Sequence, residues 1–197
     1  MTKIEEYQRN LTLRNRLMQV LEAVDQDFLP PLSNRKPLEF WMSLFEKGTI
    51  LYALEEGKIA GFLAYYPSLT AEILEELRPC VNLDPVIAPT DANEHFHGAY
   101  LHFIAISPRF RGKKISSLLI RALIEDAQRI GVSKLRVVTW STNKRSLHLY
   151  SKHGFQIFRR LPNDRAEGIA SVYLELKLPF LPEIAQIHAK IPEGLGS

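Results

Sequence analysis

Apolar residues recur at two different periods along this chain, and the switches between them mark out its elements. An extended start at 3–7 reads as a short strand. Over 11–28, Leu13, Leu17, Val20, Leu21 and Val24 fall at the three- and four-residue spacing of an amphipathic helix, with Arg14, Arg16, Gln19 and Glu22 between them. Pro30 and Pro31 end that pattern, because proline can neither donate to a helix nor continue it. Residues 38–46 carry a second short helical pattern, with Pro37 near its start and Gly48 past its end. A hairpin follows: 50–54 and 59–66 are β-rich runs around Glu55-Glu56-Gly57-Lys58. Residues 70–77 predict a helix, and the stretch through Pro79, Pro85 and Pro89 predicts a long loop. A strand is predicted at 99–106, stopped by Ser107-Pro108. A helix at 115–130, a strand at 135–140 and a short helix at 144–153 capped by Asn143 come next. Two strands, 155–160 and 169–178, close the pattern.

This order predicts an α/β fold, a mixed sheet of about six or seven strands with helices on both faces, whose two central helical crossovers favour parallel neighbours. The chain has 197 residues, which predicts one domain over 1–178 and a tail, 179–197, carrying Pro179, Pro182 and Pro192. A domain of this size buries on the order of 70% of its unfolded surface and needs no disulfide or metal staple. Apolar residues make up 46% and charged residues 24%, an ordinary balance for a packed domain and not for a disordered chain. A net charge of +3 is too small to predict a nucleic-acid partner. Cys80 is the single cysteine, which suits a reducing compartment. The first residues lack an apolar leader, and no window reaches the roughly 18 uncharged apolar residues of a membrane span. The expectation is a cytoplasmic protein with no membrane partner.

One stretch has the form of a phosphate site. A predicted strand runs into Arg109-Phe110-Arg111-Gly112-Lys113-Lys114 and then into a helix. The first N–H groups of a helix have no internal partner and sit at its positive end, so an anion there gains several hydrogen bonds at once. Gly112 permits close backbone approach, and four cationic side chains add positive potential. The G-x-x-x-x-G-K-[ST] spacing of a nucleotide-binding P-loop is missing.

The segment Leu101-His102-Phe103-Ile104-Ala105-Ile106-Ser107-Pro108-Arg109-Phe110-Arg111-Gly112-Lys113-Lys114-Ile115 resembles the acyl-CoA-binding core of the GNAT superfamily of N-acetyltransferases. The family pattern is Q/R-x-x-G-x-G/A. Arg109 and Gly112 fit it; Lys114 stands where a second Gly or Ala is usual, and Ser116 where a further Gly is common. Downstream, Asn143-Lys144-Arg145-Ser146-Leu147-His148-Leu149-Tyr150-Ser151-Lys152-His153-Gly154-Phe155 is similar to the family's N-x-x-[SA]-x-x-[LF]-Y-x-K-x-G-F signature. Pro30-Pro31-Leu32-Ser33 also resembles some bacterial members.

The resemblance implies a GNAT-like sheet and acetyl-CoA as cosubstrate. It implies that the main-chain amides of Arg111, Gly112, Lys113, Lys114, Ile115 and Ser116 hold the coenzyme pyrophosphate. Arg109, Ser117, Asn143 and Ser146 would lie alongside the coenzyme, and Phe103, Ile104, Ala105 and Ile106 would line its acyl arm. The backbone near Ile106 would polarise the thioester carbonyl, and Tyr150 would protonate the departing thiolate.

Acyl transfer to an amine also needs a proton acceptor, and His102 lies where the family often carries its base. Strand alternation puts Tyr100, His102, Ile104 and Ile106 on one face, with Tyr100 able to hold a water. His95, His97 and His102, with Asp91 or Glu94, invite a metal reading, but their spacing fits no familiar site, so no metal is expected. Acidic and aromatic residues suited to an amine acceptor include Phe28, Trp41, Phe45 and Glu94, with Asp25, Asp27, Asp84 and Asp91, although Trp41 and Phe45, four apart on one helix, read more simply as core. The acceptor pocket is expected between the N-terminal helices, the 68–97 segment and a turn at 161–167. The reading is an N-acetyltransferase moving an acetyl group from acetyl-CoA to a primary amine, of a small molecule, by direct attack through a tetrahedral intermediate. The alternatives are an acyl-CoA-binding regulatory module, another acyl donor, or a protein amine. Relatives in the family pair, so a homodimer is expected.

Overall fold

The computed structural model describes residues 1–28, 31, 44–78, 82–87 and 98–179. The predicted helix 38–46 is helical at its described end, 44–47. Trp41, Cys80, Asp91, Glu94, His95, His97 and all but the first residue of the C-terminal tail lie outside the described residues.

The chain runs β1 (Lys3–Glu6), α1 (Leu11–Val24), β2 (Thr49–Glu55), β3 (Lys58–Tyr66), α2 (Ala71–Leu77), β4 (Ala99–Ile106), α3 (Ile115–Arg129), β5 (Lys134–Trp140), α4 (Lys144–Lys152), β6 (Gln156–Ala166) and β7 (Ile169–Lys177). A single helical turn, Asp84–Ile87, takes up part of the proline-containing stretch predicted as loop. The seven strands form one sheet in the order β1-β2-β3-β4-β5-β7-β6. The predicted α/β mixed sheet is the one observed.

Helix α1 starts where Asn10 accepts a hydrogen bond from the Leu13 N–H at 2.9 Å. It buries Leu17, Val20, Leu21 and Val24. It ends at Val24 and continues only as a 3-10 turn, Asp25–Asp27, so the predicted helical run to Phe28 is four residues too long. That early end leaves Val24, Asp27 and Phe28 at the site described below.

Helices cover both faces of the sheet and create two cores. Under α1 lie Leu17, Leu21, Phe45, Phe62, Tyr100, Phe103 and Tyr173. Under α3 and α4 lie Leu63, Leu101, Leu119, Leu123, Val137 and Tyr150. Because both faces are covered, β3 reads as an almost unbroken apolar run. The Tyr65 hydroxyl donates to Asp126, tying β3 to α3.

Only one of the two helical crossovers makes parallel neighbours. β4 and β5, joined through α3, pair in parallel. After α4, however, β7 inserts between β5 and β6 and pairs antiparallel with both. The tight β6–β7 hairpin returns the chain alongside β5, and that pairing outcompetes a β5–β6 contact.

Two irregularities shape the sheet where function is expected. The first is a bulge. Ala64 faces Phe103 and Tyr65 faces Leu101, so His102 is the extra residue on β4. The bulge overturns the expected single face of Tyr100, His102, Ile104 and Ile106. Tyr100 falls in the α1-side core with Phe103 and Ala105, whereas Ile104 and Ile106 pack toward the α3 side.

The second is a splay. β4 and β5 pair only at Ala99↔Leu135, Tyr100↔Arg136 and Leu101↔Val137, then separate. Ser107 donates its N–H to the Ala60 carbonyl at 3.0 Å. In an antiparallel ladder, alternate residues turn their N–H and C=O groups to opposite edges. Phe103 and Ala105 therefore bond toward β3, and the N–H groups of Ile104 and Ile106 point to the edge that β5 has left.

Candidate active site

The splay opens a cleft of about 290 Å³ that passes between the two faces of the sheet. From β4 it is lined by Tyr100, His102, Phe103, Ile104, Ala105 and Ile106. From β5 and α4 it is lined by Val138, Thr139, Trp140, Asn143, Arg145, Ser146 and Tyr150. Val24, Asp27 and Phe28 close it from the end of α1, Arg111 from the turn before α3, and Arg165 from β6.

The turn before α3 has the conformation an anion site needs. Gly112 sits at φ 80° and Lys114 at φ 61°, both left-handed. The first intrahelical bond of α3 runs from the Leu118 N–H to the Lys114 carbonyl at 3.1 Å. The N–H groups of Ile115, Ser116 and Ser117 therefore precede the helical ladder. Lys114 takes a left-handed conformation where the family pattern has Gly or Ala, at a cost of about 1–2 kcal/mol. The turn is held from both sides: Arg109 and Lys113 lie over the buried Phe110 ring at 5.6 and 5.3 Å. Of the basic run, only Arg111 reaches the cleft wall, and there it pairs with Asp27. Arg109, Gly112, Lys113, Lys114, Ile115, Ser116 and Ser117 form the turn and first helical residues adjoining Arg111, outside the lining. Ser117 Oγ meets His153 Nε2 at 2.7 Å, joining the start of α3 to the end of α4.

Asn143 caps α4, its side chain accepting from the Ser146 N–H at 3.1 Å, and both residues line the cleft. One turn on, Tyr150 is buried against Phe155, ring centroids 5.6 Å apart. Burial pushes the Tyr150 phenol well above its ordinary value, so it stays protonated throughout the neutral range. Across the cleft, the bulged His102 lies among the rings of Tyr66, Tyr100 and Phe103 at 5.7–6.1 Å.

The expected site residues thus divide. Tyr100, His102, Phe103, Ile104, Ala105, Ile106, Arg111, Asn143, Ser146, Tyr150, Phe28 and Asp27 converge on one cavity. Phe45 does not. It is 2% exposed and packs in the α1-side core, against Tyr7 at 5.5 Å and Phe62 at 6.3 Å. Asp84 faces Arg78 at 3.8 Å, away from the cleft, and Asp25 is not in the lining. The expected 161–167 turn is strand as far as Ala166, with its register shifted between Leu161 and Ala166.

Sequence reasoning missed Val24, Val138, Thr139, Trp140, Arg145 and Arg165. Thr139 and Trp140 could have been found, because ligands in open α/β sheets sit beyond the carboxyl ends of parallel strands. Arg165 carries no sequence signal. It reaches the cleft because β6 is long and irregular, and nothing in its own segment says so.

The comparisons with known proteins agree with this geometry. The family model described as "Acetyltransferase (GNAT) family" matches residues 16–155. A thialysine N-epsilon-acetyltransferase from Bos taurus is 33% identical over 100 residues, covering 49% of this chain. The chain spans 59% of the length of that curated relative. The ribosomal-protein-S18-alanine N-acetyltransferase of Escherichia coli has a similar fold, with a TM-score of 0.64 at 18% identity, covering 92% of this chain and 96% of its own. So has yncA of Salmonella typhimurium, solved with its cofactor acetyl-CoA, with a TM-score of 0.61 at 14% identity, covering 90% and 94%. The matched region runs from within α1 to Phe155, just before β6, taking in the splay, the turn before α3 and the helix bearing Tyr150, and on that ground the chain belongs to the GNAT acetyltransferase family.

Proposed function

We propose that this protein transfers an acetyl group from acetyl-CoA to a primary amine of a small molecule. The observation that carries the reading is the cleft at the β4–β5 splay. It combines free ladder N–H groups on one wall, a buried protonated phenol on the other and an anion-binding helix start beside it. When bound, acetyl-CoA supplies the activated thioester. The amides of 112–117 fit its pyrophosphate, and Asn143 and Ser146 its arm.

The N–H groups of Ile104 and Ile106 are aimed at the open edge and suit the thioester carbonyl oxygen, whose negative charge grows as the amine attacks. His102 takes the amine proton, directly or through a water held by Tyr100. Tyr150 donates its proton to the departing sulfur. Burial keeps the phenol protonated, so its proton is present to be given. The acceptor enters from the α1 face, past Val24 and Phe28, toward Tyr100 and Trp140. A recess of about 290 Å³ suits a small molecule.

The test is thiol release from acetyl-CoA across an amine panel. Tyr150→Phe is expected to lower kcat far more than it raises the KM for acetyl-CoA. Coenzyme binding without thiol release for any amine would support the regulatory-module alternative, and an unchanged kcat in the variant would remove Tyr150 from the mechanism.

A further inference from the structure

We infer that the acceptor amine also carries an anionic oxygen group, a carboxylate or a phosphate, and that Arg165 binds it. The inference rests on the acetyltransferase reading and names the substrate class of that same cleft.

Arg165 lines the cleft, and its Nε is buried with no hydrogen-bond partner. Among the described residues it forms no ion pair. Removing a guanidinium donor from water without replacing its hydrogen bond is costly, and native proteins rarely leave one so unless water, an ion or a ligand completes it. The carboxylate lining this cleft among the described residues, Asp27, is already paired with Arg111. The described wall therefore offers uncompensated positive charge, an unfavourable surrounding for an acceptor bearing only cationic groups.

Position separates Arg165 from the coenzyme side. The turn 111–117 and Tyr150 belong to the α3–α4 side of the sheet, and Arg145 stands in the first turn of α4 between Asn143 and Ser146. Arg165 belongs to the opposite side. Asp164 and Arg165, with Asp84, act by charge on Tyr173, which packs in the α1-side core and whose hydroxyl donates to the Asn82 carbonyl at 2.9 Å. Arg165 lines the same cleft as His102, Ile104 and Ile106, so one acceptor can meet the guanidinium and the open edge of β4 together. The planar guanidinium presents paired donors at fixed geometry, matching a carboxylate or phosphate edge.

The experiment compares matched acceptors in the full-length protein with acetyl-CoA. Lysine, ornithine and tyrosine are set against cadaverine, putrescine and tyramine. Phosphoethanolamine and glucosamine 6-phosphate are set against ethanolamine and glucosamine. The anionic member of a pair should show a higher kcat/KM by about 10- to 100-fold, the range one charge-assisted hydrogen bond confers. The two arms tell carboxylate from phosphate. Arg165→Gln should raise KM for the anionic member by a similar factor, leave kcat nearly unchanged and leave the partner lacking the anionic group no worse used, with Arg165→Lys partly restoring the preference. Equal or better use by the wild type of the partners lacking the anionic group, or a preference that survives Arg165→Gln, overturns the inference. Should no amine release thiol, the acetyltransferase reading fails separately, and the anion site is read by thermal shift at saturating coenzyme A. N-acetylglycine or phosphoethanolamine should then stabilise the wild type and not Arg165→Gln; no shift in the wild type overturns the inference.

Discussion

Gly61 on β3 faces Ile106 on β4, at the point where β4 turns its backbone to the cleft. A Cβ added there would lie 2.6 Å from the Ala105 carbonyl oxygen, 2.6 Å from Ile106 Cδ1 and 3.1 Å from Ile106 Cα, against 3.4 Å for ordinary contact. The first and third of these atoms are backbone, so a rotamer change cannot relieve the clash and Gly61→Ala must push β4 away from β3. Overpacking of this kind costs about 1–3 kcal/mol, and each kcal/mol lowers the melting temperature of a domain this size by about 2–4 °C. The displaced segment carries the Ile106 N–H. Since a misplacement of about 1 Å in a catalytic group can cost on the order of 100-fold in rate, a tenfold or greater fall in kcat is expected, of order a few tenths of an ångström being enough. Gly57→Ala is the control. Gly57 sits at φ 71° in the β2–β3 turn with no neighbour within 4 Å of a Cβ, so alanine costs about 1–2 kcal/mol of backbone strain far from the cleft. Urea unfolding and thiol-release kinetics on both variants decide the matter. If Gly61→Ala loses stability like Gly57→Ala but keeps wild-type kcat, the link from strand spacing to the site is refuted.

Other outcomes follow from the same structure. Lys114→Gly should relieve left-handed strain while Lys114→Ala should not, separating the two in stability by about 1 kcal/mol; equal melting temperatures would contradict the strain argument. Arg136 and Glu175 form a buried ion pair at 2.6 Å, 1% and 7% exposed, with Arg136 also donating to the Val86 carbonyl. Arg136→Met should cost about 3–5 kcal/mol by stranding Glu175, and adding Glu175→Leu should restore most of it, as urea midpoints would report. His153 is held below its ordinary value by burial first, then by Lys152 and Arg121. Its folded state resists protonation, so its share of stability is present above about pH 6.5 and declines as pH falls through the lowered value. His153→Gln should flatten that decline in a melting series from pH 7.5 to 5; parallel curves would exclude His153 as its source.

Much of this was legible in the chain because the signals are local. The i, i+3, i+4 spacing of Leu17, Val20, Leu21 and Val24 places α1, and Asn143 with Tyr150 places α4. The turn from Arg109 to Lys114 points to a candidate anion site by its place before a helix, because a helix start needs only its own backbone to attract negative charge. What was misplaced depended on pairing. Phe45 fits either the acceptor pocket or the core by sequence, because an aromatic on a helix looks the same whether it meets a cleft or a core, and it meets Phe62. The shared face of Tyr100 and Ile104 failed because a bulge is a property of two strands, invisible in either.

The sequence by itself determined the element types, their order and the chemistry carried on β4, on the turn after it and on α4, since propensity, capping and periodicity act over a few residues. Tertiary structure alone decided that β7 inserts between β5 and β6, that β4 and β5 part after Leu101, and that Arg165 reaches a cleft built from strands distant in the chain. Those outcomes depend on which backbone edges find partners and which are left open, a competition among residues far apart in sequence, and here the edge left open lines the candidate site.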